Sequence, residues 1–207
     1  MPAGDRSDRH HLVLASASPA RLRLLRDAGF DPEVVVSGVP EDIDDPAGTA
    51  ATAVALAQRK ADAVARLRPD ALVIGCDSLL DLDGVALGKP QSEEEAAEFV
   101  RRQSGRTATL HTGHCLIDGP SSRRVSDVAG TLIHFGRPTE REIADYVATG
   151  EPLVLAGGCS IDGYGAPFID GIDGDSSNVL GLSLPLFRRM LAQLDIVVSE
   201  LWRPRTR

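Results

Sequence analysis

The order in which apolar segments and helical patterns follow one another constrains this chain most. Near the start of its 207 residues, two apolar runs typical of buried strands, Leu12 to Ser16 and Pro32 to Ser37, are each followed by a segment with helical periodicity. Further on, the runs 107–118 and 123–135 are separated only by turn residues. Strands that alternate with helices favour parallel pairing, and directly connected strands favour antiparallel pairing. We therefore expect an α/β fold with a mixed, elongated central sheet flanked by helices.

Capping and breaking residues set the expected boundaries of the elements. Ser18 as N-cap and Pro19 at the first helical position begin a helix that Gly29 ends. A third buried strand is expected at Ala71 to Asp77, followed by a hairpin around Asp83 and Gly84. Further helices are predicted at Thr49 to Leu67, Ser92 to Arg102, Pro138 to Val147 and Leu184 to Leu194, with loops and short strands over 156–183. We expect a single domain over 1–207, with flexible tails at 1–11 and from about 196 to 207.

Composition and charge argue against several classes of protein. The net charge of −8 argues against a general nucleic-acid-binding surface, which needs a basic stripe. The longest uncharged stretch has 13 residues, short of the ~20 that cross a membrane, and the N-terminus lacks the apolar region of a secretion signal. Cys76, Cys115 and Cys159 form no C-x-x-C pair, which favours a reducing compartment. We expect a cytoplasmic protein without a nucleic-acid or membrane partner.

Ser16, Ser18 and Arg21 lie between the end of the first strand and the start of the first helix. A helix N-terminus presents unpaired N–H groups and partial positive charge, which suit a phosphate group. Two hydroxyls and a guanidinium would add hydrogen-bond donors. The alternative is an ordinary N-cap followed by a solvent-facing arginine.

Asp77 ends the apolar run from Ala71, where strand ends of open α/β sheets face a ligand crevice. Strand alternation places Asp77 on the same face as Gly75 and opposite Cys76. A carboxylate in that position can bind Mg²⁺ or orient a water molecule for hydrolysis. The alternative is an aspartate that caps a turn.

Two lysines are candidates for phosphate contacts. Lys60 falls on the inward, apolar stripe of the long helix, although it could also extend along the helix flank to solvent. Lys89 stands between Gly88 and Pro90, which restrict its approach but do not form a P-loop. By contrast, His111 and His114 point to opposite strand faces and make a poor metal pair.

The order of the motifs adds specificity that each motif lacks. The chain reads SASPARLRLL, GCDSLLDLDGVALGKP, SGRTATLHTGHCLI and AGGCSIDGYGAPFIDGIDGDSSNVLGLSLPL in succession. From about Leu12 to Met190 it resembles the Maf family. The resemblance implies homodimeric, house-cleaning nucleoside triphosphate pyrophosphatases that depend on a divalent cation such as Mg²⁺ or Mn²⁺. It also implies an ITPase-like fold in which two lobes enclose a cleft.

The same resemblance assigns roles to individual positions. It makes Asp77 the proton acceptor and, with Glu41, a metal ligand. It gives phosphate contacts to Ser16, Ser18, Arg21, Lys60 and Lys89. By resemblance, water attacks at the α–β anhydride and pyrophosphate leaves.

Three positions associated with base choice depart from the well-known subfamilies: Ala20, Ser78 and Asp162. An ionised Asp162 can only accept hydrogen bonds, so it would favour guanine over uracil or thymine. Leu155 and Cys159 also stand where other residues are usual. Two other functions stay open: a nucleotide-binding regulatory protein of cell division and septum formation with little turnover, and a phosphatase that releases orthophosphate.

Overall fold

The computed structural model of the protein describes residues 10–41 and 47–203. Within these ranges one sheet contains seven strands, in the order β2-β1-β3-β5-β6-β7 with β4 paired to β3. The strands are β1 (Leu12–Leu14), β2 (Glu33–Val34), β3 (Leu72–Leu82), β4 (Val85–Leu87), β5 (Thr107–Asp118), β6 (Arg123–Phe135) and β7 (Ile169–Asp173). The helices are α1 (Pro19–Asp27), α2 (Thr49–Ala65), α3 (Glu93–Gln103), α4 (Glu140–Ala148), α5 (Ser176–Val179) and α6 (Leu184–Gln193).

The sheet is mixed, as the alternation of segments predicts. β1 runs parallel to β2 and to β3, whereas β4, β5, β6 and β7 join the sheet through antiparallel pairs. The strands β3, β5 and β6 have 11, 12 and 13 residues and give the sheet its length. The predicted α/β class with an elongated mixed sheet is confirmed.

β3 is longer than predicted, and its neighbouring strands determine where the cleft lies. It does not end at Asp77 but continues to Leu82, because β5 pairs with it along almost its whole length. On its other side, β3 pairs with β1 at residues 72–74 and with β4 at residues 80–82. Among the described residues, no strand lies on that side beside the stretch between them, which contains Asp77. Asp77 therefore faces a gap in the middle of the sheet rather than the end of a strand.

Alternation along β3 distributes its side chains as predicted. Leu72, Ile74 and Cys76 join one buried cluster with α6, and Val73 joins a second cluster with α2 on the opposite face. Further along the same strand, Leu80 belongs to a third cluster, with β5, β6 and α3. The long strands thus connect cores on both sides of the gap.

Two glycines bring α2 directly onto the sheet. A Cβ atom at Gly75 would lie 2.4 Å from the Ala57 carbonyl oxygen, and one at Gly113 would lie 2.2 Å from that of Ala53. Glycine in a strand often marks such close approach of another backbone. This packing holds the inward face of α2, including Lys60, against β3.

The C-terminal segment differs from the flexible tail predicted from about 196. Ile196 and Leu201 are buried in the cluster that contains α6, and the Arg203 N–H donates to the Gly29 carbonyl at 2.8 Å. These apolar positions are too few to show periodicity, and for this reason they could not be predicted from the sequence.

The strand predicted over 32–37 is shorter than expected, with only Glu33–Val34 in the sheet. Among the described helices, none has the length and apolar character that a membrane span requires.

Candidate active site

A cleft of about 700 Å³ opens beside the unpaired stretch of β3. One wall comes from the end of β1, the start of α1 and the segment 36–41, and the other comes from residues 153–156 and 179–181. Nine of the ten predicted site residues line this cleft: Ser16, Ser18, Ala20, Arg21, Glu41, Lys60, Asp77, Ser78 and Lys89. The tenth, Asp162, is not in the lining.

Lys60 forms the centre of the charged part of the cleft. Its Nζ donates to Asp77 Oδ1 at 2.5 Å and to Glu41 Oε1 at 2.6 Å. Lys60 and Asp77 are only 6% and 7% exposed, so this pair is screened little by solvent. The alternative of a lysine extended to solvent along the helix flank is therefore wrong.

Glu41 connects the two lysines. Its second oxygen, Oε2, lies 3.7 Å from Lys89 Nζ. Burial by itself would raise the pKa of Glu41, but the hydrogen bond from Lys60 and the charges of Lys60, Lys89 and Arg21 together lower it. The carboxylate is therefore ionised at neutral pH, and two anions and two cations share this part of the cleft.

Arg21 is held at the base of the cleft by three elements. Its Nε donates to the Gly181 carbonyl at 2.6 Å, Nη1 to Ser16 Oγ at 3.1 Å and Nη2 to Ser78 Oγ at 3.0 Å. The residue is 8% exposed although it lines the cleft. The alternative of a solvent-facing arginine is wrong for this residue.

The serines at the start of α1 order its first turn. Ser18 is the N-cap, and its Oγ accepts from the Arg21 N–H at 3.4 Å. Ser16 Oγ accepts from the Ser18 N–H at 3.1 Å in addition to its bond with Arg21. The N-cap interpretation and placement in the cleft are thus both correct for Ser18.

Asp162 forms an ion pair outside the lining. Its carboxylate pairs with Arg23 of α1, which does line the cleft, and accepts a bond from Ser160 Oγ at 2.7 Å. Leu155 and Cys159, the other departures from the family pattern, are both in the cleft wall. The pairing of Arg23 could not be predicted from the sequence, because its partner Asp162 is distant in the chain.

Cys76 and His114, which the sequence did not favour as site residues, have structural roles. Burial raises the pKa of the Cys76 thiol to about 12, as expected for an inert core cysteine. His114 is buried and uses both ring nitrogens: the Ser183 N–H donates to Nε2 at 2.9 Å, so Nδ1 donates to the Thr112 carbonyl at 2.9 Å. Burial lowers the pKa of His114 to about 4, so the ring is neutral.

The donors available to a metal are few. Among residues 10–41 and 47–203, no group of three or more His, Cys, Asp or Glu side chains could hold a metal ion. The acidic residues that follow Glu41 lie outside the described residues. Asp77 and Glu41 are nevertheless close together, because both accept from the same ammonium group.

Comparison with known proteins agrees with the motif order. A family model described as Maf-like protein matches residues 11–194. The nucleoside triphosphate pyrophosphatase of Streptomyces coelicolor is 58% identical over 199 residues, which cover 95% of this chain and 96% of the relative. The protein of the same name from Salinispora tropica is 50% identical over 196 residues, with 92% and 87% covered. The match over nearly all of the described core, together with these identities, establishes that the chain belongs to the Maf family.

Proposed function

We propose that the protein hydrolyses the α–β phosphoanhydride of nucleoside triphosphates, including modified ones, to the monophosphate and pyrophosphate. The observation that carries this proposal is the convergence of Arg21, Lys60 and Lys89 with the carboxylates of Asp77 and Glu41 in one cleft. The names of the relatives support a nucleoside triphosphate pyrophosphatase. The cleft volume falls in the range of small-ligand sites.

The acidic pair fits a divalent cation. The ammonium of Lys60 stands between Asp77 and Glu41, so the two accepting oxygens are at most 5.1 Å apart, the sum of their distances to Nζ. Mg²⁺ in such enzymes is commonly bound by one or two carboxylates, with water and substrate phosphates as the remaining ligands. We infer that Asp77 and Glu41 hold Mg²⁺ or Mn²⁺, which when bound polarises the phosphate and neutralises part of its charge.

The three cations have distinct tasks in this proposal. Arg21, fixed at the base of the cleft, binds phosphate oxygens through its planar N–H groups. Lys60 moves its charge from the carboxylates to the triphosphate when substrate enters. The more exposed Lys89 closes on the leaving pyrophosphate from the cleft rim. Ser16 and Ser18 order the helix start that faces the phosphates.

Asp77 orients the attacking water and accepts its proton. In the free protein Lys60 occupies the Oδ1 atom of this carboxylate, and that oxygen is released when Lys60 turns to the phosphates. A general base of this kind contributes ~10²–10⁴-fold to the rate. The proposed arrangement thus couples substrate binding to release of the base.

The test is a panel of standard and modified nucleoside triphosphates incubated with the protein, with and without Mg²⁺ or Mn²⁺. Monophosphate, pyrophosphate and orthophosphate are all quantified. We expect equal amounts of monophosphate and pyrophosphate, only with metal. Release of orthophosphate as the first product would instead identify a phosphatase, and tight binding without turnover would identify a regulatory protein.

The same panel tests base choice. We propose that Ala20 and Asp162 influence it, with the Asp162 carboxylate favouring guanine through its N1–H and N2–H₂ donors. For this contact, Asp162 must leave Arg23. A higher kcat/KM for GTP than for UTP and dTTP is expected, and a clear preference for dTTP or UTP would reject the assignment.

We also infer a cytoplasmic homodimer built from one domain per chain. The family resemblance supports dimerisation, and the three free thiols support a reducing compartment. Light scattering on the purified protein tests the dimer: a mass of twice 21.9 kDa is expected, and a monomer at micromolar concentration would contradict it.

A further inference from the structure

We propose that Ser78 and Thr112 are positioning residues that hold the Arg21 guanidinium ready for phosphate, so that Ser78 affects all nucleotides alike. The inference rests on the proposed function, because it concerns the phosphate subsite of the same cleft. It changes the interpretation of Ser78, which family resemblance associates with base choice, and it assigns a role to Thr112.

The hydrogen bonds fix the direction of each hydroxyl. Thr112 Oγ1 donates to the Asn178 carbonyl at 3.2 Å, so in its 2.9 Å bond with Ser78 Oγ it accepts. Ser78 therefore uses its single proton on Thr112, and its oxygen accepts from Arg21 Nη2 at 3.0 Å. The result is one directed chain from Arg21 through Ser78 and Thr112 to the backbone of Asn178. Because its proton is already bonded to Thr112, the Ser78 hydroxyl has no hydrogen-bond donor left for a nucleotide base.

The same bonds leave a defined pair of donors on Arg21. A guanidinium has five N–H groups, one on Nε and two on each terminal nitrogen. Gly181 takes the Nε donor, Ser16 takes one from Nη1 and Ser78 takes one from Nη2. Within residues 10–41 and 47–203, one N–H on each terminal nitrogen is left without a bond, and these donors can bind phosphate oxygens. The bonds to Ser16 and Ser78 thus determine the plane of the guanidinium.

The neighbouring residues restrict the Arg21 side chain to this position. Thr112 is fully buried in β5, and Asn178 is fully buried in α5. Gly181 adopts a φ of 103°, and a Cβ atom there would lie 3.1 Å from Arg21 Nε. Only glycine allows both this backbone conformation and the close approach of the guanidinium. The network is therefore preorganised before substrate binds, which reduces the entropy lost on binding.

The experiment compares Thr112→Val, Thr112→Ser and Ser78→Ala with the wild-type protein. Thr112→Val keeps the shape but removes the acceptor for the Ser78 proton, and Thr112→Ser restores it. For each protein, kcat and KM are measured with GTP, CTP, UTP and dTTP. Inorganic tripolyphosphate, which has no base, is used as a competitive inhibitor. Melting temperatures monitor the fold.

We expect Thr112→Val and Ser78→Ala to lower kcat/KM by about 3- to 10-fold, by the same factor for all four nucleotides. The inhibition constant for tripolyphosphate should weaken in parallel, and Thr112→Ser should remain near wild type. Different factors for different bases, or an unchanged inhibition constant in Thr112→Val and Ser78→Ala, would overturn the proposal. So would a loss in Thr112→Ser equal to that in Thr112→Val.

The outcome is separable from that of the proposed function. If the wild-type protein releases no pyrophosphate, the proposed function fails on its own. Calorimetric binding of tripolyphosphate to the same variants still tests the positioning of Arg21. Weaker binding in Thr112→Val but not in Thr112→Ser supports it, and equal binding in the wild-type protein and all three variants rejects it.

Discussion

Gly75→Ala tests whether the packing of α2 on the sheet places Lys60 against Asp77. The new methyl carbon would lie 2.4 Å from the Ala57 carbonyl oxygen and 2.7 Å from the Ala61 nitrogen, whereas ordinary contacts begin at 3.4 Å. Because both atoms belong to the helix backbone, no side chain can turn aside. The helix must move about 1 Å away from β3 to restore an ordinary contact. Lys60, one residue before Ala61, moves with it.

Two effects of different size follow. Overpacking of this kind costs about 1–3 kcal/mol, which corresponds to roughly 2–10 °C in melting temperature for a chain of this length. A 1 Å displacement of a catalytic group can lower the rate ~100-fold. We therefore expect turnover to fall far more than stability does at temperatures where the variant remains folded.

The assays are pyrophosphate release and thermal denaturation, with Gly130→Ala as matched control. Gly130 is also in a strand, but its new Cβ would meet its nearest neighbour at 3.6 Å, an ordinary contact. Gly130→Ala should resemble wild type in both assays. Wild-type stability and turnover in Gly75→Ala would refute the placement of α2. A loss of stability without a loss of turnover would refute the link between this packing and Lys60.

Two further perturbations probe charge. Lys60→Met removes the ammonium from between Asp77 and Glu41, so without nucleotide it should bind Mn²⁺ more tightly than wild type while turning substrate over more slowly. Calorimetry measures the affinity, and weaker Mn²⁺ binding would contradict the assignment of both carboxylates. His114 is kept neutral by burial, with a pKa of about 4 when folded against 6.5 for the ordinary side chain. The unfolded chain therefore takes up the proton first, and stability should fall as pH drops from 6.5 to 4, by at most about 3 kcal/mol from this group. Urea denaturation at several pH values should show that the free energy of unfolding falls less with decreasing pH in His114→Gln than in the wild-type protein. An unchanged pH dependence would contradict it.

The sequence predicted most of what depends on local pattern. The helix start at Ser18 and Pro19 and the long hairpin of β5 and β6 follow from capping and turn residues. Periodicity placed Lys60 on the inward stripe of α2 but left open whether its side chain extends to solvent. The gap beside Asp77 could not be predicted, because it depends on where β1 and β4 stop along β3. A run of apolar residues shows that a strand exists but not which neighbours it has.

The candidate site shows the same limit. Family resemblance supplied the residues that line the cleft, but it did not supply their partners. The bond between Arg21 and Gly181 joins positions 160 apart in the chain, and Ser78 of β3 bonds to Thr112 of the neighbouring strand β5. Asp162 was expected near the nucleotide base, yet it is not in the cleft lining, and its carboxylate pairs with Arg23. Such pairings follow from the fold as a whole and leave no short-range signal.

The most direct test of the central claim is the rate of pyrophosphate release by Asp77→Asn with saturating nucleotide and Mg²⁺. Asparagine keeps the size of the side chain but cannot accept a proton from water. We predict a ~10²–10⁴-fold lower kcat with nucleotide binding retained, since Arg21 and Lys89 remain in place. A variant that releases pyrophosphate at the wild-type rate would show that the water is activated elsewhere.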